Sequence, residues 1–106
     1  MNSGVADNIY VAVDERGRLD EWSQRAADYL GGGDGEFGQH DATTLVAPSD
    51  RDTFISALDR ARETGDAGPY DVTVLTADGT VVHEMNARLV YVSERDMVEV
   101  TFTPRG

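Results

Sequence analysis

Residues 9 to 13 (IYVAV) alternate, with Ile9, Val11 and Val13 on one face and Tyr10 and Ala12 on the other, the period of two that marks a strand. Asp14 to Gly17 (DERG) are turn residues, and Arg18 to Trp22 (RLDEW) return as a second short strand, so the first unit is a hairpin. The spacing then lengthens. Ser23 stands where an N-cap belongs, ahead of QRAADYL, in which Trp22, Ala26, Tyr29 and Leu30 recur at helical intervals. Gly31 to Gly33 close this helix after about two turns. The glycine-rich stretch 31–41 (GGGDGEFGQHD) predicts a mobile loop, and a short apolar piece (TTLVAP) follows it. Ser49 or Asp50 then caps a second helix, with Ser49 and Asp52 at capping-box spacing and Phe54, Leu58 and Ala61 in an i, i+4, i+7 stripe. Arg60 and Arg62 suit its C-terminal dipole, and Gly65 stops it.

From Tyr70 the period returns to two. Tyr70, Val72 and Val74 alternate with Asp71 and Thr73, Asp78-Gly79 forms a tight turn, and a long run from Thr80 to Val92 pairs back. Along that run Val81, His83, Met85, Ala87, Leu89 and Tyr91 make the face expected toward the core, and Val82, Glu84, Asn86 and Arg88 make the other. SERD (Ser93 to Asp96) turns into a last strand, Met97 to Thr103, with Val98, Val100 and Phe102 on one side. Two strands, two or three short helices and three strands assemble as an α+β fold, a five-stranded antiparallel sheet with short helices packed on one face. No internal repeat or linker interrupts it, and 106 residues suffice for one domain with one modest core.

Charge narrows the partners. Twenty Asp and Glu stand against nine basic residues, all of them arginine, for a formal charge of −11. Such a surface repels phosphate backbones, which proteins bind by neutralising them with Lys and Arg, so nucleic acids and anionic membrane surfaces are excluded as expected partners. The acids run along the whole chain instead of clustering in a functional patch. With Asp outnumbering Glu and no Lys, the composition resembles that of salt-in halophiles such as haloarchaea. At molar salt the Debye length falls to roughly 3 Å and self-repulsion is largely removed. No window reaches the roughly 18 to 20 apolar residues of a membrane span, and the N-terminus lacks the regions of a secretion signal, which predicts a cytoplasmic location. The absence of cysteine removes disulfides, thiolate nucleophiles, Cys-ligated metals and thiol-linked chromophores.

A strand ending in D-x-x-G-x-L, an acidic-Trp-Ser step into a glycine-terminated helix, a Pro-Ser-Asp-Arg helix start and a D-G hairpin before two long strands together resemble a PAS domain. The likeness is carried by Val13, Asp14, Gly17, Leu19, Glu21, Trp22, Ala26, Leu30 and Gly31, by Pro48, Asp50, Arg51 and Phe54, and by Gly65, Tyr70, Asp78 and Gly79. It covers residues 8–103, leaving 1–7 and 104–106 as flanks. Two features depart from the pattern: Ser23 stands where family members commonly carry Asn after the Trp, and the closing Asp-Ile-Thr signal is not legible in TFTPRG. The resemblance implies a non-catalytic sensory or dimerisation module of a multidomain signalling protein, such as a histidine kinase, a transducer or a PAS-containing regulator. A homodimer and flanking signalling domains are its implied partners. Within the family, the flavin and hydroxycinnamate light sensors each need a cysteine, which is lacking here. The haem type carries a histidine on the long helix, and residues 50–64 contain none. The identity of any cofactor is left unknown.

Residues 33–38 (GDGEFG) match G-x-G-x-x-G formally, but that fingerprint follows a strand and opens a helix, whereas here a helix precedes it and acids lie within it. A solvated loop is the better reading. His83 among apolar neighbours reads as a hydrogen-bonded core or edge residue, His40 with Asp41 has no companions at metal spacing, and Asp50 and Asp52 read as helix caps. No calcium-loop pattern or nucleophile elbow is present, so an enzyme is not expected. The site expectation is a pocket under the long helix, where Tyr29, Leu45, Phe54, Leu58, Val74, Met85 and Phe102 surround a small apolar or aromatic ligand and His83 or Asn86 orients it. Two registers of the family pattern fit around His83, so either face of its strand can point at the pocket. The competing expectation is a ligand-free dimerisation scaffold in which the same side chains fill the core.

Overall fold

The computed structural model describes residues 9–23, 25–26, 41–75 and 82–104. Their strands are β1 (Ile9–Val13), β2 (Leu19–Trp22), β3 (Asp66–Leu75), β4 (Val82–Val92) and β5 (Met97–Pro104), all antiparallel, in the order β2-β1-β5-β4-β3. The C-terminal strand therefore lies between the two hairpins. Two 3-10 turns, Ala42–Leu45 and Pro48–Asp50, lead into the helix α1 (Arg51–Thr64). This is the α+β architecture that the alternation predicts.

Register settles which residues share a face. Ile9, Val11 and Val13 stand opposite Phe102, Val100 and Val98, and on the far side Phe102 and Val100 stand opposite Ala87 and Leu89. All eight are buried, forming with Phe54, Ala57 and Ala61 of α1 one contiguous core on the inner face. The odd-numbered face of β4 is thus the core face, as its apolar content predicts. Each side chain of Phe or Leu size that is fully withdrawn from water stabilises the fold by about 1.5–3 kcal/mol.

Several local expectations shift. The stripe of α1 is Phe54, Ala57 and Ala61, and Leu58 is only half-buried. The predicted capping box does not form, and no side-chain hydrogen bond caps α1. The Asp50 carboxylate instead accepts the Thr73 amide of β3 at 2.8 Å, which draws it off the helix end. β3 begins at Asp66 instead of Tyr70, because Ala67 and Asp66 already pair with Leu89 and Val90 ahead of a register shift at Gly68-Pro69. β2 begins at Leu19, Arg18 making only an isolated bridge to Asp41, and β5 runs one residue further than expected, to Pro104. Gly65 does end the helix, at φ 103°, with its N–H donating to the Ala61 carbonyl at 2.8 Å. Ser23 does cap the segment after β2: its Oγ accepts the Ala26 amide at 3.1 Å. Tyr29, Leu30, most of the first predicted helix, His40, the GDGEFG motif and the Asp78-Gly79 turn lie outside the described residues.

Candidate functional site

The structure gathers five of the expected pocket residues. Leu45, Phe54, Val74, Met85 and Phe102 are each no more than 1% exposed and belong to the same core, with the Phe54 and Phe102 rings stacked at 6.4 Å between centroids. His83 is half-buried on the same inner face, opposite Val74. Asn86 is not with them. Successive strand residues point to opposite faces, and its amide Nδ2 donates to the Asp71 carboxylate at 3.1 Å on the outer face, so it cannot orient a molecule held against Met85. Leu58, half-buried, packs against the edge of the same core and also lines a different cavity.

That cavity is a partly enclosed cleft of about 290 Å³ between α1 and the β1–β2 turn. The helix presents Ile55, Leu58, Asp59 and Arg62, at the i, i+3, i+4 and i+7 spacing of a single face, beside the stripe that enters the core. Val13 and Val98, paired across β1 and β5, form its floor, and Asp14 to Gly17 form the opposite wall. This wall is internally braced. The Asp14 carboxylate accepts the amides of Arg16 at 2.8 Å and Arg18 at 3.0 Å, and Gly17 turns the chain at φ 83°. From the sequence, Asp14 to Gly17 is only a turn and Ile55 lies outside the Phe54, Leu58 and Ala61 stripe, so no local signal marks the cleft.

Two ionic groups meet at the β4–β5 turn. Arg62 donates from Nη1 to the Asp96 carboxylate at 2.9 Å and from Nη2 to its carbonyl at 3.2 Å, with the guanidinium 5.3 Å from the centre of the Tyr91 ring. The Tyr91 hydroxyl donates to the same carboxylate at 2.8 Å. These bonds, that from Tyr91 foremost, hold Asp96 below the usual carboxylate range, and the same bond to Asp96 is the main reason Tyr91 is held above the usual phenol value. On the outer face Arg95 pairs with Glu21 and reaches Glu99 at 4.0 Å, while the Tyr10 hydroxyl donates to Glu99 at 3.4 Å. Burial, and then the Glu99 and Glu21 charges, raise the Tyr10 hydroxyl. Among the described residues no three His, Asp or Glu side chains gather as a metal site.

No sequence-family model matches the chain, and no curated protein does. Solved structures do. The PAS domain of a protein from Colwellia psychrerythraea superposes with a TM-score of 0.79 at 16% identity, over 97% of this chain and 92% of that one. The fold is that of a PAS domain. A PAS domain of the quorum-sensing receptor RpfR of Cronobacter turicensis, solved in complex with C12:0, is similar at a TM-score of 0.76 and 15% identity, over 94% of this chain and 95% of that one. A domain of a sensory box sensor histidine kinase/response regulator from Geobacter sulfurreducens gives 0.76 at 17% identity, over 91% of this chain and 82% of that one. Within this PAS fold the departure at Ser23 keeps its structural use, because the hydroxyl accepts from both Tyr10 N at 3.2 Å and Ala26 N. The Asp50-Arg51 pair of the PAS-like helix start works as a clamp. Asp50 holds β3, and Arg51 Nε donates to the carbonyls of Thr43 and Val46, each at 3.1 Å.

Proposed function

We propose that this PAS domain, residues 8–103, is a non-catalytic sensory module of a larger cytoplasmic signal-transduction protein such as a histidine kinase, a transducer or a PAS-containing regulator. It responds to a small apolar or aromatic ligand or to a change in dimer packing. One observation carries this reading: agreement of fold over more than nine-tenths of the chain with domains of a sensor histidine kinase/response regulator and of a ligand-bound receptor. A ligand acts here by binding two conformations unequally, and the population shift cannot exceed that difference in affinity. A second reading, a ligand-free dimerisation scaffold, is favoured by the near-complete burial of Leu45, Phe54, Val74, Met85 and Phe102. Val82 and Val90, 57% and 40% exposed on the outer face of the sheet, support self-association under either reading.

The test is mass spectrometry of whatever is released when the protein, purified in high salt, is denatured, read beside its native absorption spectrum and its sedimentation. The expected result is a dimer that releases a stoichiometric small molecule, with Val90→Glu shifting the dimer toward monomer. An empty, colourless dimer would replace ligand sensing by the scaffold. An empty monomer would overturn both.

A further inference from the structure

We propose that the cleft between α1 and the β1–β2 turn binds a small organic cation with an apolar body, an arylalkyl amine in chemical class. This site is separate from the core pocket and stands whether or not that pocket is occupied. Three observations carry it: shape, surface and charge.

The walls are held before any ligand arrives. On one side the Asp14 carboxylate fixes the turn through two backbone amides, and the Ala42 N–H donates to the Gly17 carbonyl at 2.8 Å. On the other, Arg62 is anchored to Asp96 through two hydrogen bonds. A site that is formed in advance loses little ordering entropy on binding. Its volume of about 290 Å³ lies at the low end of ligand pockets, which run from roughly 300 to 1,000 Å³, so the occupant is small.

The accessible apolar surface inside comes from Ile55 and half-buried Leu58, over a floor closed by the buried Val13 and Val98. Among the described residues three large hydrophobics are markedly exposed, and one of them, Ile55 at 45%, borders this cleft; Val82 and Val90 lie on the outer face of the sheet. The rim sets the sign of charge. Asp14, Glu15 and Asp59 line it with Arg16 and Arg62, and Arg62 is already paired with Asp96. Three carboxylates thus line the cleft with two guanidinium groups, one of them already neutralised by Asp96, in a chain of net charge −11. An anionic head group meets repulsion here, and an ammonium group does not.

The test is an amide ¹H–¹⁵N NMR titration of the 106-residue chain with 2-phenylethylammonium and, at equal ionic strength, with 3-phenylpropionate, which carries a similar apolar body and the opposite charge. The cation is expected to give saturable shifts at Gly17, Thr43, Ile55, Leu58 and Val98 with a Kd of about 1–10 mM, and the anion to bind at least roughly tenfold more weakly. Ile55→Ser, at a solvent-facing position, should weaken the cation several-fold with the far-UV spectrum unchanged. Asp59→Asn should narrow the preference for cation over anion. Equal affinity for both probes overturns the assignment, as does saturation confined to Leu45, Met85 and Phe102, or no saturable shift up to about 50 mM.

Discussion

Asp96 ends the β4–β5 turn at φ 55°, a left-handed conformation that Asp and Asn tolerate better than other residues with a Cβ. That backbone places its carboxylate between the Tyr91 hydroxyl and the Arg62 guanidinium. Its lowered pKa fixes the sign of its effect. A carboxyl whose folded pKa is depressed stabilises the fold above its unfolded value, about pH 4, and that stability is lost as the pH falls through the folded value. Tyr91 behaves oppositely: a raised phenol stabilises below its unfolded value, about pH 10, and the contribution disappears as the pH rises through the folded one. Asp96→Asn keeps the backbone conformation accessible and removes the charge. Urea midpoints of native protein and variant should differ near neutrality, the variant being the less stable, and converge on acidification below about pH 4. A gap that stays constant with pH would mean that the charge of Asp96 contributes nothing.

At the start of α1, one carboxylate and one guanidinium tie three segments together. Asp50 holds the Thr73 amide at the edge of β3, and Arg51 holds the carbonyls that end the preceding turn. Removing the acceptor with Asp50→Ala leaves a part-buried N–H without its partner and should cost about 1–3 kcal/mol in urea unfolding, with Asp50→Asn costing less. The sequence displays Asp50 and Arg51 but not this use of them, since Thr73 lies 23 residues away and nothing local marks it. The strands themselves were legible wherever one face is core and the other is not, as in Val98, Val100 and Phe102. The first part of β3 was hidden because Gly68-Pro69 interrupts the alternation and removes a backbone donor. The pocket was half legible. Alternation groups Val74, Met85 and Phe102, and helical spacing Phe54, as inward residues, but neither distinguishes packed rings from a cavity, and the pairing with Asp71 decides between the two registers by keeping Asn86 on the outer face.

Across the whole molecule, the excess of carboxylates acts against a modest set of exposed ion pairs, among them Arg88 with Asp66 and Arg18 with Asp41. Exposed pairs of this kind are worth about 0–1 kcal/mol each and weaken with salt, whereas relief of self-repulsion at net charge −11 grows with it. The second effect should win. Thermal unfolding followed by far-UV circular dichroism is expected to show a higher midpoint at ~2 M KCl than at ~0.1 M. Identical midpoints would remove the solvent-adaptation reading of the composition. The β4–β5 turn has a mechanical consequence at this scale. Arg95 grips Glu21 on one side of the sheet, and Asp96, its immediate neighbour, grips the last turn of α1 on the other. At this corner a single peptide bond separates the contact made on one side of the sheet from the contact made with the helix on the other, so the shortest covalent link between the two sides bypasses the packed interior.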